Sequence, residues 1–183
     1  VRSRVVTEIE VGFTGKAIAT DNENKIIVGG SRRSGSGESS NSGVIAIIET
    51  EDYTISSTIE TPISVVAITY DAESETIYAG GISSSNSSQS IIIEINVSTS
   101  SIISELNVSG IIEDILYDAD NEELYVTVEI NTTRDQNHGA VIAIDTNTEE
   151  IITEIILEET PTSITLDNEN GELYITNPLS SSV

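Results

Sequence analysis

The sequence predicts an all-β fold, a β-propeller built from four-stranded antiparallel blades. A unit of about 48 residues is repeated almost four times along the 183-residue chain, as stacked structural repeats require. Isoleucine dominates the apolar residues, and β-branched side chains favour strands over helices. Each unit holds four short β-type runs joined by turns, which is the pattern of a propeller blade.

The first strand of each unit, strand a, ends at an aspartate that anchors the repeat. Successive anchors are about 50, 47 and 49 residues apart. A polar turn rich in Asn, Asp and Glu follows each anchor, and these residues suit tight turns. The predicted a strands are Ala17–Asp21, Val65–Asp71, Asp114–Asp118 and Ser163–Asp167.

Three further strands follow in the same order. The predicted b strands are Lys25–Gly30, Thr76–Gly81, Glu123–Val128 and Glu172–Asn177. The predicted c strands are Val44–Glu49, Ile91–Asn96 and Val141–Thr146. The most polar runs are the d strands, as expected for an outer strand with one wet face: Val5–Glu10, Ile55–Glu60, Ile102–Asn107 and Ile151–Ile156.

The strand count is one short of four complete blades, because a fourth c strand is missing. We expect residues 1–183 to form a single propeller segment with repeats at about 5–54, 55–101, 102–150 and 151–183. An unpaired last strand would expose a hydrogen-bonding edge, which proteins usually cover. Either more chain follows, which we favour, or a neighbouring subunit closes the edge.

Charge and composition exclude several classes of partner and site. Seven basic residues face 31 acidic ones, for a net charge of −24. Such a field repels nucleic acid and anionic lipid, so neither is expected as a partner. No apolar run approaches the roughly 20 residues of a membrane span, so this segment is not expected to insert. The absence of cysteine excludes thiolate metal sites and cysteine nucleophiles in this chain.

Two b strands and one c–d unit carry a family resemblance. Leu173–Asn177 and Leu124–Val128 resemble the motif that names the YVTN-type β-propeller repeats, and Val141–Ile155 is similar to that family's strand c, turn and strand d. The resemblance implies a non-enzymatic, structural or adhesive propeller of an archaeal-type surface layer or appendage, with an extracellular location. It transfers no catalytic residue, because the matching motifs are structural.

The a–b and c–d turns are predicted to share one face, because adjacent strands of a blade alternate in direction. This rim is strongly acidic. Asp118, Asp120 and Asp167 lie in turns with alternating oxygen ligands, as hard cations prefer. They are candidate ligands of a weakly bound Ca²⁺ or Mg²⁺. The alternative is that these are solvated hairpin turns without a metal.

The b–c loops are predicted to lie on the opposite face. They carry Arg32, Arg33, Arg134 and His138, which are candidates for binding an anionic ligand, a glycan or a neighbouring subunit. The alternative is flexible Ser- and Gly-rich padding. No cofactor is expected.

Four Asn-X-Ser/Thr triplets are candidate glycosylation sites: Asn86, Asn96, Asn107 and Asn131. All fall in predicted loops or at strand ends. Chance alone accounts for about this many triplets in a chain so rich in Ser and Thr, so only their exposed placement favours glycans.

Two other functions remain open at this point. A lactonase-like propeller enzyme would place carboxylates, Asn and His around the channel, but His138 is the only histidine. A catalytic metal or an activated serine usually needs more ligands or a base than one histidine provides. The second is a soluble module that binds a ligand through its b–c loops.

Overall fold

The computed structural model describes residues 7–21, 23–32, 42–86, 89–133 and 136–178. In this part of the chain no helix is long and apolar enough to cross a membrane. The described residues form β-strands β1 (Thr14–Thr20), β2 (Lys25–Arg32), β3 (Ser42–Glu49), β4 (Ile55–Thr61), β5 (Ile63–Asp71), β6 (Thr76–Ser83), β7 (Ser90–Asn96), β8 (Ser101–Val108), β9 (Ile111–Asp118), β10 (Glu123–Thr133), β11 (Gln136–Asp145), β12 (Ile151–Leu157), β13 (Ser163–Asp167) and β14 (Glu172–Thr176).

These strands form four antiparallel sheets in chain order. The first sheet is β1-β2-β3-β4, the second β5-β6-β7-β8 and the third β9-β10-β11-β12. The fourth sheet contains only β13 and β14. The all-β fold and the a-b-c-d order within a blade are therefore confirmed, and the sheets do not close into a ring.

The sheets are offset by one strand from the sequence repeats. Each d strand pairs with the c strand before it, so β4 belongs with β3 and not with β5. The connection to the next sheet is short: Pro62 alone separates β4 from β5. A repeat that begins at a d strand thus spans parts of two sheets.

Two predicted elements differ from the structure. Thr7–Glu10, the described part of the predicted d strand at Val5–Glu10, is not a strand. The predicted loop at Glu129–Gly139 is instead mostly an extension of the β10–β11 hairpin, in which Ile130 pairs with His138 and Asn131 with Asn137. The polar composition of this stretch indicated a loop, but continuous backbone pairing with the neighbouring strand extends the sheet.

In three of the a–b turns, the residue just before the b strand has a left-handed backbone conformation. Glu75 and Glu122, which precede the b strands of the second and third sheets, have φ of 53° and 56°. The same position in the fourth sheet is Gly171, with φ of 67°. Glycine adopts this left-handed conformation without the steric cost that a side chain incurs.

The apolar core lies between the sheets, in two layers. Ile27, Ile45 and Ile47 of the first sheet pack against Ile77 and Ile93 of the second. A second layer joins the second sheet to the third and includes Ile92, Leu124 and Val126. The second sheet thus buries apolar residues on both of its faces, one against the first sheet and one against the third.

The a strands form the inner edge of this stack. β1 packs against β5, β5 against β9, and β9 against β13. Hydrogen bonds link the same strands: the Tyr117 amide donates to Thr69 Oγ1 at 3.3 Å, and the Ile164 amide donates to Asp114 Oδ2 at 3.1 Å. The a strands therefore lie next to one another, as the strands nearest a propeller axis do.

Candidate interaction site

The anchor aspartates shape their own turns. Asp21 Oδ1 accepts the backbone N–H groups of Glu23, Asn24 and Lys25 at 2.8 to 2.9 Å. Burial raises the pKa of Asp21, but these N–H groups outweigh it and hold the pKa below its ordinary value. The repeated aspartate is thus explained by turn formation alone.

The predicted cation ligands also accept hydrogen bonds within their own turns. Asp118 accepts the Asp120 amide at 3.0 Å and the Asn121 side-chain amide at 2.8 Å. Asp167 accepts the Glu169 amide at 3.0 Å, and the side-chain amide of Asn170 holds its pKa below the usual range. Within the described ranges no three His, Asp or Glu side chains converge on one point. A cation at Asp118, Asp120 and Asp167 therefore stays a prediction.

The predicted loop face is only partly described. Arg32 Nη1 lies 2.8 Å from Glu60 Oε1, so this cation is paired with the outer strand of its own sheet. His138 lies in β11, with Nδ1 3.2 Å from the Glu158 carbonyl oxygen. Arg33 and Arg134 lie outside the described residues. Of the two described members of this set, Arg32 lies in the first sheet and His138 in the third.

The glycosylation candidates differ in their surroundings. Asn86 and Asn107 are exposed, and Asn107 Oδ1 accepts the side-chain amide of Gln89. Asn96 is half-buried, and its Oδ1 accepts the Thr99 amide at 2.9 Å. Asn131 lies inside β10 and not in a loop. Attachment of glycans to these residues stays a prediction.

A narrow cleft separates the second and third sheets. It is lined by Tyr78, Glu94 and Glu149, with about 30 Å³ of free volume, which is room for one or two water molecules. Burial raises the pKa of Glu94, although Ser104 donates a hydrogen bond to its carboxylate at 3.1 Å. The cleft is too small for an organic substrate.

The third and fourth sheets depart most from the repeat pattern, because an isoleucine that is buried in the first sheet has an exposed counterpart in the third. Ile59 of β4 and Ile155 of β12 occupy equivalent places, because they pair with Ile45 and Val141 at the same point of each sheet. Ile59 is 6% exposed beneath the second sheet, whereas Ile155 is 56% exposed. Among the residues that the structure describes, the fourth sheet has no c or d strand to cover Ile155.

The edge is open along the backbone as well. β14 pairs with β13 on one side, and no strand in the described ranges pairs with its other side. Ile151, Ile152 and Ile156 of β12 are each more than half exposed. Apolar side chains beside an unpaired strand edge form a surface that other β-strands can cover.

Comparisons with known proteins identify the fold. No protein-family model and no curated protein matches the sequence. Among solved structures, hydrazine synthase of Kuenenia stuttgartiensis is 12% identical, with a TM-score of 0.67 over 98% of this chain and 51% of that one. The structure titled Dos1 propeller is 12% identical, with a TM-score of 0.63 over 89% of this chain and 42% of that one. The fold is therefore a β-propeller fold.

An acylaminoacyl peptidase of Pyrococcus horikoshii is similar in the same way. It is 15% identical, with a TM-score of 0.63 over 82% of this chain and 26% of that one. This chain thus spans about half or less of the length of the structures that it resembles. At such low identity the likeness shows the fold and nothing of the activity.

Proposed function

We propose that this chain is a non-enzymatic structural module that works by binding further β-structure at its open edge. The observation that carries the proposal is the exposure of Ile155 on a strand whose counterpart Ile59 is buried. The covering strands belong either to the rest of a longer chain or to another protein subunit. An incomplete propeller fits both sources.

The setting we propose is an extracellular surface layer or appendage. The YVTN-like motifs support this proposal, as does an acidic surface that divalent cations would screen in a crowded array. Exposed Asn86 and Asn107 suit glycan attachment. The neighbourhood of His138 supports a non-enzymatic role, because its described hydrogen-bond partner is a backbone carbonyl oxygen and not a nucleophile.

Adding the missing strands to the chain tests whether the edge accepts them. Val128 and Asn177 are equivalent, because each is the sixth residue counted from the start of its b strand, at Glu123 or Glu172, so a copy of sequence 129–157 can be fused directly after Asn177. We expect this extension to raise the free energy of unfolding by at least about 2 kcal/mol, because it covers isoleucines that now face water. Chemical denaturation measures the change.

A scrambled copy of sequence 129–157 in the same place is the matched control. It has the same length and composition but lacks the strand pattern, and we expect it to leave stability unchanged. If the native and scrambled extensions have the same effect, the edge does not accept strands and the proposed function is wrong.

A further inference from the structure

One contact recurs between the first and second sheets and between the second and third, and it involves an isoleucine of the series that stands three residues before each anchor aspartate. Strand register places these isoleucines at equivalent positions, opposite the fourth residue of each b strand. They are Ile18, Ile68, Ile115 and Ile164. Their exposed fractions are 70%, 7%, 4% and 7% in that order. Ile18 alone in this series is uncovered, because no described sheet precedes the first.

Ile68 and Ile115 each rest on a glycine in the sheet before them. A Cβ placed on Gly29 would lie 3.5 Å from Cδ1 of Ile68, and one on Gly80 would lie 2.4 Å from Cδ1 of Ile115. The equivalent positions in the third and fourth sheets are Thr127 and Thr176, which we call socket positions together with the two glycines. Thr127 is fully buried, whereas Thr176 is exposed.

The first and fourth sheets thus each expose one partner of this contact: the isoleucine position in the first sheet and the socket position in the fourth. At one end Ile18 has no socket. At the other end Thr176 has no isoleucine, and its neighbour Tyr174 is 44% exposed although the equivalent Tyr78 is 8% exposed. We propose that these halves join between two copies of this chain, with Ile18 of one copy packed on Thr176 and Tyr174 of the next. This inference goes beyond the proposed function, because it concerns the open faces of the first and fourth sheets and not the unpaired edge of β14.

The open faces at the two ends are both formed by inner strands. In the first sheet Val44 and Ala46 of β3 are already buried, so the free part of that face lies over β1 and β2. The fourth sheet consists only of the equivalent inner strands, β13 and β14. Each end therefore offers the inner half of a blade.

Charge also favours a head-to-tail order. Six of the seven Lys and Arg residues lie in the first 33 residues, which hold only four of the 31 acidic residues. No Lys or Arg follows residue 134, whereas ten acidic residues do. The amino-terminal part of the sequence is therefore the least acidic part of this chain, which favours its contact with the acidic carboxy-terminal part of another copy.

A salt bridge between the first and second sheets can be compared with the same position at the proposed junction. Lys25 at the start of β2 lies 3.5 Å from Glu75, in the a–b turn of the next sheet. At the junction between copies the equivalent residues are Glu172 and Asn24, with Lys25 directly after Asn24. The junction thus puts no pair of like charges at this position.

Cross-linking between single-cysteine variants tests the contact, because the chain has no cysteine of its own. Ile18→Cys and Thr176→Cys are mixed and treated with a short bismaleimide at moderate salt. We expect covalent dimers in the mixture and not in either variant alone. Ile103→Cys replaces a side chain of similar exposure, 55%, on β8 of the second sheet, and is expected to give no cross-link to Thr176→Cys.

The outcomes separate this inference from the proposed function. Cross-links within Ile18→Cys alone would indicate a face-to-face dimer and overturn the head-to-tail contact, as would equal yields with Ile103→Cys. If no cross-link forms while the strand extension still stabilises the chain, the second-copy inference fails and the proposed function stands. In sedimentation, Ile18→Asp is expected to reduce association of the folded chain at least tenfold, with circular dichroism as the check on folding.

Discussion

Replacing Gly80 with valine is expected to lower the free energy of unfolding by about 3 kcal/mol. Even a Cβ on Gly80 would lie 2.4 Å from Cδ1 of Ile115 and 3.0 Å from Cγ2 of Ile112, both in the third sheet. Those isoleucines are buried in the core layer between the two sheets. The Ile115 side chain must therefore leave its position, and the packing between the second and third sheets is disturbed. Chemical denaturation of the variant and the parent chain measures the loss.

Thr176→Val is the position-matched control for this prediction. It places the same side chain at the exposed socket position of the fourth sheet, and we expect a change within about 0.5 kcal/mol. The prediction fails if Gly80→Val is as mild as Thr176→Val, because the sheets would then not be in close contact at Gly80.

Ile68→Ala is expected to cost about 3 kcal/mol, because it leaves a cavity between the first and second sheets. Ile68 is buried in that core layer and lies against Val65 and the backbone of Gly29. Ile18→Ala makes the same truncation at the equivalent position, where the side chain is exposed to water. It is expected to change the stability of the monomer by less than about 0.5 kcal/mol.

The stabilities of these two variants are compared by thermal and chemical denaturation, at a concentration where the chain is monomeric. Equal losses would mean that Ile18 is covered within a single copy, which contradicts an open first sheet. At higher concentration, where copies associate, Ile18→Ala should become costly while Ile68→Ala keeps its effect.

Much of the fold follows from the sequence, because each strand is signalled locally. The anchor aspartates mark the a strands, and the turns after them need residues that accept left-handed backbone or bond their own amides. These features do not depend on distant parts of the chain. One strand is different: the d-type run that includes Thr7–Glu10 has the same local pattern as the other d strands without forming a strand there.

The candidate site was less predictable. Sequence reasoning placed binding on Arg32, Arg33, Arg134 and His138, but a charged residue in a loop does not reveal its partner, and Arg32 pairs with Glu60. The missing c strand did predict an open edge. The contact series was missed, although a signal was present: an isoleucine stands three residues before every anchor aspartate. Only burial in three dimensions shows that Ile18 differs from Ile68, Ile115 and Ile164.

Hydrogen exchange of the monomeric chain tests most directly whether the fourth sheet is an open edge. We predict slow exchange for the amides of β10 and β11, which lie inside a complete sheet, and fast exchange for the β14 amides that do not pair with β13. The native strand extension should slow the exchange of those β14 amides, and the scrambled one should not. If the β14 amides of the unextended monomer are as protected as those of β10, the edge is already covered and the account is contradicted.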